Sequence, residues 1–241
     1  MPRDPHKDQP ILQGGAPLTD ATGALILLHG RAGSAQDMLT LARDLTLGPP
    51  SPEEPAPSAA RGRGGQGVRT NGGTGGSERL AWFVPEAAGR QWYPYSLLEK
   101  VEKNQGALNS ALGLMKRIVE KTAAANIPAE RIALLGFSQG ATIVLEFAAR
   151  NAQRYGAIIA LSGALLGPEG TPREYTGSFA GTPVFLGSGD SDPNIPKRRV
   201  DEAARVFEGL GAVVRKEIYA GLAHAMNQDE IAKAREMLAR T

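Results

Sequence analysis

The sequence predicts an α/β fold, a mostly parallel sheet with helices on both faces, and three observations carry that prediction. Short continuous apolar runs bounded by turn residues recur along the chain, as they do in strands buried on both faces. Stretches with helical apolar spacing alternate with them, which is the pattern of βαβ units. The chain has 241 residues, 41% of them hydrophobic and 22% charged, enough to build one large core without a covalent staple.

The elements follow in order. Residues 1–20 hold few large apolar groups and several Pro and Gly, and read as a loose start with room for a short edge strand. Ala24 to Leu28 is an unbroken apolar run ending in His29-Gly30, and predicts a strand. Ser34 is placed to cap a helix over 35–46, with Leu39, Ala42 and Leu45 on one side. Residues 48–78 hold nine Gly and five Pro and a single large aliphatic, Val68. Such a stretch buries too little apolar surface to offset the entropy of ordering, and predicts a disordered insertion.

The pattern resumes with a strand at Leu80 to Val84, then a long aromatic-rich connection over 85–103. A helix over 104–124 lines up Leu108, Ala111, Leu112, Met115, Ile118, Val119 and Thr122 on one face. Strands are expected at Arg131–Leu135, Ala157–Leu161, Pro183–Leu186 and Ala212–Tyr219, and helices at 139–150, 197–209 and 227–239. Reactive groups of such sheets sit at the carboxyl ends of the strands. The 48–78 insertion follows a helix and precedes a strand, so it should emerge at the other end as a passive insertion within one domain spanning 1–241.

Composition excludes several classes of function. With 27 basic and 25 acidic residues the formal net charge is +2, too balanced to argue for nucleic acid or an anionic membrane. There is no cysteine, hence no disulfide, thiolate metal site or cysteine nucleophile. Three scattered histidines do not suggest a metal site. The Gly72 to Gly76 run lacks the preceding strand and following Lys of a phosphate loop. No cofactor is expected. No secretory leader or membrane span is legible, so a cytoplasmic protein is expected. A homodimer stays open at this stage.

Gly136-Phe137-Ser138-Gln139-Gly140 reads G-x-S-x-G. With 30 Gly in the chain, chance supplies about 0.2 such matches, so the motif alone is a moderate signal. Its context sharpens it. The match follows an apolar strand and opens a helix, the strand–turn–helix setting of a nucleophile elbow. A serine needs a base. Of the three histidines, His6 lies in the N-terminal stretch and His29 ends a buried strand. His224 lies between the last strand and the last helix, at the active end of the sheet, and is the base by position and elimination. An orienting acid is expected between Ser and His in chain order. Gly189-Asp190-Ser191-Asp192-Pro193 offers both Asp190 and Asp192, which the residues alone do not separate.

Four blocks in order, Leu27 to Gly30, Gly136 to Gly140, Gly189 to Pro196 and Gly221 to His224, resemble the phospholipase/carboxylesterase group of α/β-hydrolases, which includes the acyl-protein thioesterases. The resemblance spans about 24–241 without the insertion and implies a single-domain α/β-hydrolase. It implies a Ser138–Asp192–His224 triad, since the family places its acid at the second Asp of that block. It implies an oxyanion hole from the backbone N–H groups of Arg31 and Gln139, and a structural His29. Where the thioesterases continue His-Gly with Leu-Gly-Asp, this chain has Arg31-Ala32-Gly33. That departure, and Gly89 to Pro94, make it look closer to bacterial small-ester hydrolases. Dienelactone-type relatives commonly carry Cys at the elbow, which this chain lacks.

The expected function is a serine carboxylesterase acting on a small ester or thioester substrate. An acyl-thioesterase or lysophospholipase, and a non-catalytic binding protein on the same fold, are the alternatives. Trp92, Tyr93 and Leu165, in loops at the active end, are the expected substrate-binding residues. Arg31 and Arg90 are either solvated or available to an anionic substrate group.

Overall fold

The computed structural model describes residues 4–48 and 79–241. Among them, seven strands form one sheet in the order β1-β3-β2-β4-β5-β6-β7. The strands are β1 Ile11–Gly15, β2 Gly23–Leu28, β3 Leu80–Pro85, β4 Ile132–Phe137, β5 Ala157–Leu161, β6 Pro183–Gly189 and β7 Val213–Tyr219. Only β1 runs antiparallel, against β3; the other neighbours are parallel. The helices are α1 Ala35–Leu47, α2 Val101–Ala124, α3 Gln139–Arg150, α4 Lys197–Gly209 and α5 Gln228–Leu238. The expected α/β class therefore holds.

The continuous apolar runs have a simple cause. Successive side chains of a strand point to opposite faces. Along β2, Ala24, Ile26 and Leu28 enter one core and Leu25 and Leu27 the other. The first core takes α2 and α3, with Leu108, Met115, Ile143 and Phe147; the second takes α1 and α5, with Met38, Leu45 and Leu238. With both faces covered, alternation has no polar face to show. Each fully buried aliphatic contributes about 1.5–3 kcal/mol relative to exposure. At the sheet edge, β7 carries Arg215, Lys216 and Glu217, charges that suit an edge strand.

Helix starts follow capping chemistry. Ser34 Oγ accepts from the Asp37 amide while the Asp37 carboxylate accepts from the Ser34 amide, a reciprocal box that fixes the start of α1. Asn227 and Glu230 form the same box at α5. α2 begins at Val101, earlier than expected, because no side chain caps Lys100 to mark it. Asn104 sits in its first turn, buried, and turns back to bond Tyr95 N (3.0 Å) and Ser96 O (3.2 Å).

The loose start is corrected. His6 is buried and makes three contacts with two distant segments: its amide to Ser110 Oγ (2.8 Å), its Nε2 to Trp92 O and its Nδ1 to Ala88 N (3.1 Å each). The expected disordered insertion lies, from Pro49 to Glu78, outside the described residues. Its described flanks, Gly48 after α1 and Arg79 before β3, lie at the end of the sheet opposite the strands' carboxyl ends. No described helix is long and apolar enough to cross a membrane.

Candidate active site

Ser138 sits between β4 and α3 with φ 54° and ψ −119°, a conformation a non-glycine residue rarely takes. A backbone held there costs about 1–3 kcal/mol and persists only where its surroundings enforce it. Those surroundings are visible. A Cβ at Gly136 would collide with the backbone of Gly140, and one at Gly140 with the carbonyl of Leu28. The strand, the turn and the helix thus approach closer than any side chain allows. The Ser138 amide donates to Leu161 O (2.9 Å), tying the turn to β5.

His224 lies in the loop between β7 and α5, its side chain 21% exposed, with Nε2 2.7 Å from Ser138 Oγ. Its Nδ1 is 2.7 Å from Asp192 Oδ2. The Asp192 side chain is fully buried, and its other oxygen accepts from the amides of Asn194 (2.8 Å) and Ile195 (3.1 Å). Both oxygens of Asp192 are thus engaged, one on backbone amides and one on the imidazole. Asp190 has a different partner set: its carboxylate accepts from Gly221 N (2.8 Å) and Ser191 Oγ (3.0 Å).

The amides of Arg31 and Gln139, one after the His29-Gly30 pair and one at the start of α3, have no protein partner among the described residues. A dense set of bonds holds the segment around Arg31. Ala32 N donates to Arg90 O (2.9 Å) and Arg90 Nε to Gly33 O (3.0 Å). His29 is buried; its Nδ1 meets Gly30 O (2.7 Å) and its Nε2 accepts from Ala87 N (3.1 Å). With Nε2 also 3.2 Å from Glu86 Oε1, both ring nitrogens are engaged and none is left for a substrate.

The cleft at this site has a volume of about 560 Å³ and is bordered by Ser138 and His224, by Leu97 and Leu98 on one side, and by Ile195 on another. That is within the usual size of small-molecule sites. Of the three expected substrate-binding residues, two lie elsewhere. Trp92 is fully buried between the His6 and His29 rings (centroids 5.3 and 5.2 Å), with its indole N–H on His29 O (2.8 Å). It props the Arg31 segment from behind. Leu165 is fully buried because Arg199 holds its carbonyl (2.9 Å) and Glu146 the next amide (2.9 Å), drawing the loop inward. Tyr93 does border the cleft, but only 2% of it is exposed, and burial pushes its phenol well above the ordinary tyrosine range.

Gln139 has a role that its motif position does not reveal. Its side-chain oxygen accepts from Trp92 N (3.0 Å) and its amide donates to Tyr93 O (2.8 Å), so one residue ties the elbow to the far loop. Tyr95, Leu97 and Leu98 reach the cleft from that loop, and Gly167 N supports Leu97 O (2.7 Å). Among the described residues no cluster of His, Cys, Asp or Glu could hold a metal ion.

Comparison with known proteins places this geometry. Residues 77–241 match the sequence pattern of the family described as Phospholipase/Carboxylesterase. The solved phospholipase/carboxylesterase from Dyadobacter fermentans is 35% identical, superposes with a TM-score of 0.80, and covers 96% of each chain. A Bacillus cereus carboxylesterase, 15% identical with a TM-score of 0.65, shares the fold over 97% of this chain and 94% of its own. Acyl-protein thioesterase 1 of Saccharomyces cerevisiae is 31% identical over 159 residues, which is 65% of this chain and 66% of that protein. The Debaryomyces hansenii protein of the same name is 30% identical over 143 residues, 59% of this chain and 62% of its own. The chain thus spans less than two thirds of the length of these yeast relatives.

Proposed function

The chain belongs to the phospholipase/carboxylesterase family, and from that premise we propose that it is a serine hydrolase that cleaves carboxylic esters through an acyl-enzyme at Ser138. The observation that carries this reading is the unbroken relay of two 2.7 Å contacts, Ser138 Oγ to His224 Nε2 and His224 Nδ1 to Asp192 Oδ2, opening on one cleft.

In this mechanism His224 Nε2 takes the proton of Ser138 as Oγ attacks the ester carbonyl. Asp192 holds the imidazole in the required tautomer and stabilises the imidazolium that forms. The N–H groups of Arg31 and Gln139 bind the oxyanion, and the amino terminus of α3 adds its dipole. Each such pre-aimed donor is worth about 3–4 kcal/mol of barrier where it has been removed from other enzymes. The imidazolium gives its proton to the leaving alcohol. Water, activated by the same nitrogen, then attacks the acyl-enzyme and releases the acid. A second reading, thioester hydrolysis by the same steps, is supported by the likeness to the yeast acyl-protein thioesterases.

The test is hydrolysis of 4-nitrophenyl esters of increasing acyl length beside thioesters of matched length, using the folded wild type, Ser138→Ala and His224→Ala. The reading requires turnover by the wild type that both substitutions abolish, and the preferred bond separates ester from thioester chemistry. Turnover that survives Ser138→Ala would sink it.

A further inference from the structure

One charge in the cleft has no part in the chemistry above. Arg31 borders the same cleft as Ser138 and His224. Its guanidinium donates from Nη1 to Gln91 Oε1 (2.9 Å) and from Nη2 to the carbonyls of Tyr93 and Pro94 (3.0 Å each). All three acceptors are neutral amide oxygens. They fix the planar fork in place, but they do not cancel its charge, and they use three of its five N–H donors. Among the described residues no carboxylate lies within ion-pair distance of Arg31.

The remainder of the cleft lining contains no Asp or Glu. Asp192 lies buried behind His224, with both oxygens engaged. Arg31, which lines the same cleft as Ser138, thus carries a fixed charge that no carboxylate among the described residues offsets. Long side chains normally lose freedom when they grip a ligand, and this one has already lost it to the loop it clamps. Both Nη2 hydrogens are committed to the loop, so an anion meets one free N–H and the charge itself, and one guanidinium matches the single charge of a carboxylate better than the roughly 1.5–2 charges of a phosphate monoester. Leu97, Leu98 and Ile195 line the same cleft and suit a hydrocarbon stretch between ester and anion.

We propose that Arg31 is a specificity-determining residue that binds a carboxylate on the substrate, so that the preferred substrates are esters carrying a free acid group. The proposal rests on the hydrolase reading and names the substrate class of that same site. The carboxylate sits either on the acyl part or on the alcohol part of the ester, and the experiment tells these apart.

Two matched pairs make the test. On the acyl side, 4-nitrophenyl hexanoate is compared with the 4-nitrophenyl monoester of adipic acid. On the alcohol side, phenyl butyrate is compared with 3-carboxyphenyl butyrate. In at least one pair the carboxylate-bearing ester should show kcat/KM higher by about 10-fold or more at low salt, a preference that shrinks as salt is added. Arg31→Leu should remove the preference, and Arg31→Lys, which keeps the charge without the fork, should keep part of it. The two esters of a pair share the reacting group, so a loss from loop movement cancels in their ratio. Should Arg31→Leu not fold by circular dichroism, Arg31→Gln takes its place. A wild type that does not prefer the carboxylate-bearing ester in either pair, or a preference that survives Arg31→Leu, overturns the proposal alone. A folded wild type that hydrolyses none of the four esters overturns the hydrolase reading and this proposal with it.

Discussion

The two walls of the cleft are built on opposite plans. One wall, residues 29–33 with 86–95, is cross-bonded throughout: Ala32 to Arg90, Arg90 to Gly33, Arg31 to three acceptors, Trp92 to His29, and Gln139 to both Trp92 and Tyr93. His29, Gly30, Ala87, Trp92 and Tyr93 form its buried part. The other wall carries His224 on a short, partly exposed loop, held by Gly221 N to Asp190 Oδ1 (2.8 Å), Ser191 N to Leu222 O (3.2 Å) and the hydrogen bond between His224 Nδ1 and Asp192. On the proposed roles the contrast has a reason. Donors that meet a developing oxyanion work best when they need not move. A base that accepts a proton from the serine and returns it to the leaving group needs some play.

The largest effects should come from the relay that joins the walls. Ser138→Ala and His224→Ala should each lower kcat by at least about 10⁴-fold with little change in melting temperature. Asp192→Asn keeps the shape but favours the wrong tautomer, and should cost up to about 10⁴-fold in kcat. Steady-state kinetics on one 4-nitrophenyl ester reads all three, and a loss under 10-fold in any of them would detach that residue from the chemistry.

The rigid wall should respond next. Gln139→Ala leaves the backbone N–H in place but removes the two bonds to the far loop. Loss of such positioning should lower kcat by about 10- to 100-fold while KM changes less. Trp92→Phe keeps one aromatic ring but leaves a cavity and frees His29 O, and should cost about 2–4 kcal/mol of stability together with a several-fold fall in kcat. The looser wall should forgive more: Asp190→Ala, which releases Gly221, should cost only a few-fold in kcat. If Asp190→Ala proves as damaging as Gln139→Ala, the contrast between the walls is wrong.

The sequence made much of this legible, and the gaps follow one rule. The strands at β2 to β6 announced themselves because a sheet covered on both faces turns alternation into unbroken apolar runs. Ser138 was legible because G-x-S-x-G followed such a run, and His224 because only three histidines compete. Separating Asp192 from Asp190 took family resemblance, since both are Asp in one turn and only their partners differ. The sequence places Trp92 and Leu165 in loops at the active end, and the structure buries both side chains away from the cleft. Loop position tells which end of the sheet a residue occupies, not which way it points. The side-chain role of Gln139 and the burial of His6 depend on contacts 46 and 104 residues away in sequence, which no local pattern encodes.

His6 gives the smallest predicted effect, a pH dependence that reaches the rigid wall from behind. Burial, first among the causes, holds its pKa below the ordinary histidine value, and its Nδ1 accepts a hydrogen bond from Ala88 N, which protonation there would forbid. The unfolded chain takes up a proton near pH 6.5, and the folded chain resists. The contribution of His6 to stability is therefore complete above about pH 6.5 and is lost as pH falls through that value toward the folded pKa, at most about 1.4 kcal/mol per pH unit. Melting temperatures of the wild type and His6→Gln between pH 8 and pH 5 should converge as pH falls. A constant gap would assign no titration to His6.

The central claim is that Ser138, driven by His224, forms a covalent bond with the acyl group. The direct measurement is mass spectrometry of the intact protein and its peptides after treatment with diethyl 4-nitrophenyl phosphate, a reagent that traps activated serines. One adduct is expected, on the peptide containing Ser138, absent in Ser138→Ala and strongly slowed in His224→Ala. A folded wild type that stays unlabelled, or one labelled at another residue with its esterase activity lost in step, would contradict it.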